Sequence, residues 1–255
     1  MTNPLTVAIA GCNGRMGQAL ISAACENKDV KLVIGSVRNG TKCKCEDIDI
    51  TSDPAVLVSK AEAVLDFTTP ETSIALAREV AKTGGIIVIG TTGFTDGQQK
   101  KLNEYSATAR IVQSGNFSLG VNILESLVEK TAALLGEKYD IEISEMHHRH
   151  KKDAPSGTAL MLGRAAARGR KVSLDGKKVV DRNGERKLGD IGFSAVRGGD
   201  VVGVHSVMFA GGDELITLSH QGFSRNIYAT GAITAALWAR DKQAGMYSMR
   251  DVIGM

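Results

Sequence analysis

A glycine-rich turn near the start of the chain constrains the fold more than any other feature. Leu5–Ala10 is an apolar run that ends at a glycine, which is typical of a buried parallel strand. Gly11, Gly14 and Gly17 follow with the spacing G-x-x-G-x-x-G and lead into a helical pattern. Glycines so placed permit a tight turn, close approach of a pyrophosphate and close helix–strand packing. The motif predicts a dinucleotide-binding unit, and a merely structural turn is the alternative.

Strand and helix patterns alternate through the first half of the chain. The predicted strands are Leu5–Ala10, Val30–Val37, Ala63–Phe67, Ile86–Ile89 and Arg110–Gln113. Helical patterns lie between them, at about 17–26, 70–82 and 95–107. This order predicts an α/β architecture, a Rossmann-type doubly wound parallel sheet.

The pattern changes in the second half. A helix is expected from Asn116 to Leu135, with apolar positions that include Leu119, Ile123, Leu127 and Leu134. A strand at 139–146, a helix at 156–168 and three closely spaced strands at 191–197, 201–210 and 214–221 follow. Strands without intervening helices indicate a separate α+β domain with a mixed sheet. Residues 170–188 are expected to form a loop or hairpin.

A final helix, about 225–240, is expected to return to the first domain. We therefore predict that residues 1–117 and 224–255 form the dinucleotide-binding domain. Residues 118–223 then form a second domain.

Composition narrows the functional classes. Apolar residues make up 43% and charged residues 23%, which is ordinary for a soluble globular protein. Only 4% of residues are aromatic and the formal net charge is +3, so a nucleic-acid surface is not expected. The sequence shows neither a signal-peptide pattern nor an apolar stretch of membrane-spanning length. We expect a cytoplasmic protein without a membrane partner.

Cysteine usage also favours a cytoplasmic protein. The four cysteines, Cys12, Cys25, Cys43 and Cys45, are too few for a disulfide framework in a chain of 255 residues. Cys43 and Cys45 lack a second pair at zinc spacing, so a reduced surface loop is the default and metal binding the alternative.

A strongly basic segment marks the second half of the chain. His147–Lys152 are six consecutive basic or potentially basic residues, and 153–158 read as the start of a helix. A helix N-terminus offers backbone N–H groups and a positive dipole end, which suit an anion. His and Lys side chains also supply proton-transfer groups. The pattern indicates a catalytic site for a small dianion; the alternatives are a solvated face, or a metal site formed by His147, His148 and His150.

The end of the second strand bears on the cofactor. NAD-specific sites usually place Asp or Glu there, to bind the ribose 2′-OH. This chain has Ser36, Val37, Arg38 and Asn39, with Lys42 and Lys44 nearby and no carboxylate before Glu46. Arg38 suits a 2′-phosphate; the alternative is that it stacks on the adenine or faces solvent. Turns at Gly90–Phe94 and Ser114–Phe117 follow later strands and suit the nicotinamide half.

These motifs together resemble the 4-hydroxy-tetrahydrodipicolinate reductase (dihydrodipicolinate reductase) family. The resemblance covers essentially the whole chain, and its most specific block is HHRHKKDAPSGTA at 147–159. It implies a Rossmann-type domain, a second domain that binds substrate and forms a tetramer, and reduction of a cyclic hydroxy-dicarboxylate with loss of water, in lysine biosynthesis through diaminopimelate.

The resemblance also implies roles for individual residues. His147 would be the acid/base residue and Lys151 the proton donor, while His148, Gly157 and Thr158 would bind substrate carboxylates. The cofactor would be held, without a metal, by Gly11, Cys12, Asn13, Gly14, Arg15, Met16, Arg38, Gly90, Thr91, Thr92, Ser114, Gly115, Asn116 and Phe117.

One departure concerns cofactor choice. Many members of the family carry an acidic residue where Val37 stands, so we expect NADPH to be preferred and NADH to be a poorer substrate. Two alternatives stay open at this point. One is an NAD(P)-sensing binding protein, which would not turn over substrate, and the other is a reductase acting on another aspartate-derived metabolite.

Overall fold

The computed structural model describes residues 3–41, 43 and 48–255, which divide into two units. Unit 1 combines the described residues up to Ser118 with Arg225–Met255, and unit 2 is Leu119–Ser224. Strands and helices are numbered along the whole chain. Within the described residues, no helix combines the length and apolar character needed to cross a membrane.

Unit 1 is built on a seven-stranded sheet in which every pairing is parallel. Its strands are β1 (Leu5–Ala10), β2 (Val30–Ser36), β3 (Asp49–Thr51), β4 (Ala63–Asp66), β5 (Ile86–Ile89), β6 (Arg110–Gln113) and β12 (Gly245–Tyr247). They lie in the order β12-β6-β5-β4-β1-β2-β3. The chain runs from β1 to one edge and then resumes on the other side of β1. This reversal confirms the predicted doubly wound fold.

Unit 1 contains six helices among the described residues, and the third shows how local signals set their ends. They are α1 (Arg15–Glu26), α2 (Pro54–Ser59), α3 (Pro70–Thr83), α4 (Asp96–Tyr105), α7 (Asn226–Ala239) and α8 (Met249–Val252). In α3, the Thr69 hydroxyl accepts a hydrogen bond from the Thr72 N–H and Pro70 occupies the first turn. Gly84 ends the helix at a φ of 69°, a left-handed conformation that glycine adopts without strain.

The sheet of unit 1 is buried on both faces. Along β1, Val7 and Ile9 enter one apolar cluster, which includes residues of α1 and α7. Ala8 and Ala10 enter a second cluster, which includes residues of α3 and α4. Burial on alternate sides explains why this strand is a continuous apolar run.

Unit 2 contains a five-stranded mixed sheet, as predicted. Its strands are β7 (Asp140–His147), β8 (Lys178–Val180), β9 (Ile191–Arg197), β10 (Gly203–Ala210) and β11 (Leu215–Gly222). The order is β11-β10-β7-β9-β8, with β10 antiparallel to β7 and β11, and β9 parallel to β7 and β8. The helices α5 (Leu119–Leu135) and α6 (Gly157–Gly169) pack on one face, and a short 3₁₀ helix lies at Gly136–Lys138.

Some details differ from the sequence prediction. The segment 170–188 contains β8, which pairs in parallel with β9, so it is not a hairpin. Sequence reasoning missed the short elements β3, α2, β8, β12 and α8, which have too few residues to show a period. Lys42, Lys44, Cys45 and Glu46 lie outside the described residues. Cys43 is half-buried and packs against the core of unit 1.

Helix α5 buries only some of the apolar positions seen in its sequence. Its Leu119, Ile123, Leu127 and Leu134 are exposed. The buried apolar positions are Val121, Leu124, Val128 and Ala132. Because apolar residues lie on more than one side of this helix, periodicity alone could not select the face that packs.

Candidate active site

The glycine loop of unit 1 is shaped by contacts that leave no space for side chains. A Cβ on Gly17 would lie 2.2 Å from the Gly11 carbonyl oxygen, and Gly11 itself has a φ of 74°. The Gly14 N–H donates to the Gly11 carbonyl oxygen at 2.9 Å. Gly14 also caps α1 without any side-chain hydrogen bond to the first turn. The loop thus presents backbone and the N-terminus of α1, as a pyrophosphate site requires.

A cavity of about 750 Å³ adjoins this loop within unit 1. Of the residues predicted to bind cofactor, Gly11, Asn13, Gly14 and Arg38 line it, together with Ser36, Val37, Asn39, Thr41, Ser52, Pro54, Leu57, Phe67, Thr68, Thr69, Glu71, Thr72, Ala75 and Leu76. Arg15 is exposed at the first position of α1. The Cys12 side chain is buried in the apolar core, so Cys12 would meet a cofactor through its backbone, and the Met16 side chain is half-buried against the same core.

The end of β2 lies one residue earlier than predicted. The strand ends at Ser36, whose carbonyl accepts a hydrogen bond from the Cys12 N–H at 2.9 Å. The Ser36 hydroxyl accepts another from the Gly11 N–H at 3.3 Å. Val37 follows the strand directly and packs partly against the core. Val37 and Arg38 therefore lie at the edge where a ribose 2′ substituent is usually recognised.

A second cavity, of about 410 Å³, lies at the ends of β5 and β6. Thr91, Thr92, Ser114 and Gly115 line it, together with Gly93, Phe94, Gln99 and Gln113. Gly90 is not among the lining residues, and a Cβ there would overlap the Phe67 ring at 2.0 Å. Asn116 and Phe117 are buried, and the Asn116 side chain accepts from the Ser118 N–H at 2.8 Å. These three predicted residues shape the loops around the cavity.

Asp66 is a site residue that sequence reasoning missed. It is fully buried at the end of β4 and accepts hydrogen bonds from the hydroxyls of Ser73 and Thr68 and from the Thr68 N–H. The same N–H also contacts the Thr91 hydroxyl at 3.0 Å. Burial raises the pKa of the Asp66 carboxyl, although these hydrogen bonds oppose the shift. Asp66 thus ties together two loops that line the cofactor cavities.

In unit 2, the end of β7 carries a buried group of charged residues. The Glu145 carboxylate accepts two parallel hydrogen bonds from the Arg197 guanidinium, each 2.8 Å long. It also accepts the Ser156 N–H at 3.0 Å and contacts the His147 Nδ1 at 2.5 Å. Parallel pairing of β7 with β9 places His147 directly opposite Arg197. On its other side, the His147 Nε2 would lie only 3.1 Å from a Cβ at Gly203.

Burial and charge act in opposite directions on the pKa values of this group. Burial lowers the pKa of the His147 imidazole, and Lys151 and Arg197 lower it further, whereas Glu145 raises it; the net shift is downward. Burial raises the pKa of the Glu145 carboxyl, but hydrogen bonds from Arg197, His147 and Ser156 lower it more. Glu145 is therefore held as a carboxylate.

A second histidine, His205 on β10, packs against this group. Its ring meets that of His147 edge-on at a centroid distance of 5.0 Å, and its Nε2 lies 3.4 Å from the Ser156 hydroxyl. Burial, with additional repulsion from His147, lowers the pKa of His205 to about 4. Sequence reasoning missed Glu145, Arg197 and His205. The alternating pattern of β7 and β10 could have placed Glu145 and His205 on the buried face, where polar residues are unusual.

The remaining predicted residues follow along the chain. The Lys151 ammonium contacts the Asp153 carboxylate at 2.8 Å. The His148 Nδ1 is buried without a hydrogen-bond partner among the described residues. The Ser156 hydroxyl caps α6 by accepting the Ala159 N–H. Gly157 and Thr158 form the first turn of α6, where N–H groups and the helix dipole favour a carboxylate. Unit 2 thus combines titratable side chains with a helix N-terminus suited to an anion.

Sequence comparison identifies the family. A profile described as dihydrodipicolinate reductase, N-terminus, matches residues 5–117, and one described as dihydrodipicolinate reductase, C-terminus, matches residues 120–253. The chain belongs to the dihydrodipicolinate reductase family. The resemblance noted in the sequence is thereby confirmed.

Relatives of this family match over the full length. The 4-hydroxy-tetrahydrodipicolinate reductase of Caulobacter vibrioides is 48% identical over 261 residues, covering 100% of this chain and 99% of the relative. That of Agrobacterium fabrum is 48% identical over 266 residues, covering 98% and 97%. A dipicolinate-bound dihydrodipicolinate reductase from Paenisporosarcina superposes with a TM-score of 0.79 at 25% identity, covering 96% and 97% of the two chains.

Membership of the dihydrodipicolinate reductase family fits the two cavities and the basic segment. The family uses a nicotinamide cofactor, and the glycine loop of this chain, with the cavity beside it, fits one. The alternative of a histidine metal site gains no support, since no three His, Cys, Asp or Glu side chains gather as metal ligands among the described residues.

Proposed function

We propose that the chain catalyses the NAD(P)H-dependent reduction of 4-hydroxy-tetrahydrodipicolinate to tetrahydrodipicolinate, in the diaminopimelate route to lysine. One hydride and one proton enter, and the hydroxyl group leaves as water. The observation that carries the proposal is the arrangement in unit 2, where His147 and the N-terminus of α6 share the Glu145 carboxylate. That arrangement brings a proton-transfer group to the place where a carboxylate would bind.

Each residue of this site has a role in the proposal. His147 exchanges a proton as the acid/base residue, and the Lys151 ammonium, which is 20% exposed, donates the proton that follows hydride transfer. A positioned acid or base contributes roughly 10²–10⁴-fold to a rate. The amides of Gly157 and Thr158 hold one substrate carboxylate at the helix N-terminus. His148, which is half-buried, binds the other through its imidazole ring.

The cofactor supplies the hydride and is held by unit 1. Gly11, Asn13 and Gly14 bind the pyrophosphate through backbone and the N-terminus of α1. Thr91, Thr92, Ser114 and Gly115 line the cavity that suits the nicotinamide ribose and carboxamide. Cys12, Gly90, Asn116 and Phe117 support these contacts from the loops, and Arg15 and Met16 support them from the first turn of α1.

The finer proposal is that NADPH is preferred over NADH. The Val37 side chain cannot accept the hydrogen bonds of a ribose diol, a loss worth roughly 1–3 kcal/mol. Arg38 lines the same cavity and can pair with a 2′-phosphate. Val37→Glu should shift kcat/KM towards NADH, and Arg38→Ala should reduce NADPH use more than NADH use. A higher kcat/KM with NADH in the unmodified chain would contradict this preference.

A turnover assay tests the function directly. 4-Hydroxy-tetrahydrodipicolinate is generated enzymatically in the cuvette, and oxidation of NADPH and of NADH is followed in parallel. Dipicolinate, the ligand named in the related structure, should compete with substrate, and its inhibition should weaken with salt because site and ligand are both charged. Cofactor binding without turnover would favour an NAD(P)-sensing protein, and failure of millimolar dipicolinate to compete would favour a different substrate.

The assembly is proposed from the family resemblance. A homotetramer through the sheet of unit 2 is consistent with its open face, where Val196 and Leu215 are exposed. Its mass in solution, by analytical ultracentrifugation, tests this. The cytoplasmic location expected from the sequence stays a prediction.

A further inference from the structure

Glu145 is a buried carboxylate to which the proposed reaction gives no direct part. It is 2% exposed and lies on β7, two residues before His147 and eleven before Ser156. A carboxylate so deeply buried is costly unless hydrogen bonds and an opposite charge compensate it. The compensation comes from residues that belong to, or directly support, the substrate site.

The four contacts of this carboxylate divide equally between its two oxygens. Oε1 accepts from the Ser156 N–H at 3.0 Å and from Arg197 Nη2 at 2.8 Å. Oε2 accepts from Arg197 Nη1 at 2.8 Å and lies 2.5 Å from the His147 Nδ1. An ionised carboxylate has no proton to donate, so the His147 Nδ1 must carry the hydrogen of that contact. The neutral imidazole then has its lone pair on Nε2.

We infer that Glu145, held by Arg197, is a positioning residue that fixes the proton-exchanging nitrogen of His147 and simultaneously anchors the N-terminus of α6. One carboxylate thereby sets the distance between the group that handles the proton and the amides that hold the substrate. This inference rests on the proposed function, because it assigns His147 and α6 the roles given there. Arg197 acts on His147 only through Glu145, because its two hydrogen bonds prevent the carboxylate from rotating.

The charge of Glu145 matters as well as its geometry. His147 is faced by Lys151 from the loop, Arg197 from β9 and His205 from β10, besides Glu145 on its own strand. Lys151 and Arg197 disfavour the imidazolium form, and burial disfavours it more. Glu145 is the acidic group that opposes them. Removing its charge should therefore move the titration of His147 to lower pH.

Glu145→Gln tests the inference with little change of shape. Glutamine offers one accepting oxygen and one NH₂ group. Two of the four hydrogen-bond donors that now contact the Glu145 carboxylate would therefore face the NH₂ group, which is itself a donor. With ¹⁵N-labelled histidine, NMR reports both the tautomer and the midpoint of His147, whose signals are assigned by their loss in His147→Gln. The unmodified protein should show the Nδ1–H tautomer at neutral pH. In Glu145→Gln this tautomer should lose its dominance and the midpoint should fall.

The same variant should change catalysis in a way that simple destabilisation would not. One limb of the pH profile of kcat/KM should be absent in His147→Gln, which assigns that limb to His147. In Glu145→Gln the same limb should move to lower pH, by as much as the NMR midpoint moves. kcat/KM should fall by about 10²-fold, the lower end of what a positioned acid–base group contributes. KM for substrate should rise because α6 has lost its anchor.

Two further variants keep the test decisive. Glu142→Gln is the matched control, because Glu142 lies on the same strand and pairs instead with Arg182 and Arg186. It should leave the His147 tautomer and midpoint unchanged. If Glu145→Gln does not fold, Arg197→Lys replaces it, since lysine keeps the charge but cannot form the paired hydrogen bonds. It should shift the midpoint and shift the same limb of the profile.

The outcomes separate the inference from the function it rests on. An unchanged tautomer and midpoint in folded Glu145→Gln, or in Arg197→Lys if that variant is needed, overturns the inference. If Glu145→Gln shifts the midpoint but the unmodified protein does not turn over the substrate, the positioning of His147 stands and the proposed function is overturned.

Discussion

The two helix N-termini proposed to bind anions, one in each unit, are built in opposite ways. At α1 the loop is shaped by the absence of side chains, with Gly17 pressed against the backbone of Gly11. At α6 the first turn is held by charge, through the Glu145 carboxylate and the Arg197 guanidinium. In our proposal, the first site binds an anion with a backbone surface, and the second with titratable side chains around it.

This difference separates a binding site from a reacting one. Backbone amides keep the same charge at every pH, so the glycine loop can hold a phosphate without taking part in proton transfer. In the proposed reaction the α6 site supplies a proton, and it therefore needs groups whose charge changes near neutral pH. Such groups are kept in the required state only by neighbours of defined charge, which explains the buried carboxylate.

The largest expected effect is on the reacting site. Lys151→Ala should lower kcat by about 10²–10⁴-fold while KM rises much less, because a proton donor acts chiefly in the transition state. Steady-state kinetics with saturating NADPH measures both constants. Lys152→Ala is the matched comparison, since it removes the same charge from the next residue and should act mainly on KM. A near-normal kcat in Lys151→Ala would refute the proton-donor role.

A smaller effect is expected when the glycine loop is filled. Gly17→Ala places a methyl group 2.2 Å from the Gly11 carbonyl oxygen and 2.9 Å from Cys12 backbone atoms, none of which belongs to a flexible side chain. The cost should be about 3 kcal/mol of unfolding free energy, accompanied by weaker NADPH binding. Urea unfolding and NADPH fluorescence measure these. Gly97→Ala in α4, where a Cβ meets nothing within 4 Å, should leave NADPH binding unchanged and should not lower the unfolding free energy.

The smallest effect concerns pH, and His205 in unit 2 should be one source of it. Burial lowers the pKa of His205 to about 4 from 6.5, so between these values the unfolded chain binds more protons than the folded one. Stability should therefore be complete above about pH 6.5 and should fall by roughly 2–3 kcal/mol as the pH drops to about 4. The depressed pKa of Glu145 adds a loss at lower pH, below its ordinary value of 4.5.

Replacing His205 isolates its share of this slope. His205→Gln cannot titrate, so its unfolding free energy, measured in urea from pH 7 to 4.5, should depend less on pH than that of the unmodified chain. Ser206→Ala, on the same strand with its hydroxyl paired to Ser219, should keep the original slope. Equal slopes in His205→Gln and the unmodified chain would rule out His205 as the source.

The sequence predicted the glycine loop of unit 1 better than the group of charged residues at the end of β7, for a physical reason. The glycine loop is local, so the strand, the spacing of Gly11, Gly14 and Gly17, and the helix can be read from consecutive residues. The basic segment was also recognised as a candidate site. The Glu145–Arg197 pair that holds this site together was not recognised. The two residues are 52 positions apart and meet only through the register of β7 and β9.

The errors in the fold have a similar origin. β12 has three residues and pairs with β6, a partner more than a hundred positions earlier in the chain. Such a strand carries no period, and only the sheet edge it completes explains it. In α5, apolar residues on several sides left the choice of buried face to tertiary packing. Long, periodic or glycine-marked elements were predicted correctly because their signals lie within one segment.

The return of the last segment to the first sheet has a consequence for synthesis. Helix α7 contributes Ala229, Ala232, Ile233, Ala235, Ala236 and Ala239 to the same core as β1, and β12 completes the sheet edge. On a ribosome that adds roughly 5–20 residues per second, unit 2 has therefore emerged before the core beneath the glycine loop can close. Unit 1 therefore stays incomplete while unit 2 can fold, and synthesis of residues 225–255 is the step that allows unit 1 to reach its native state.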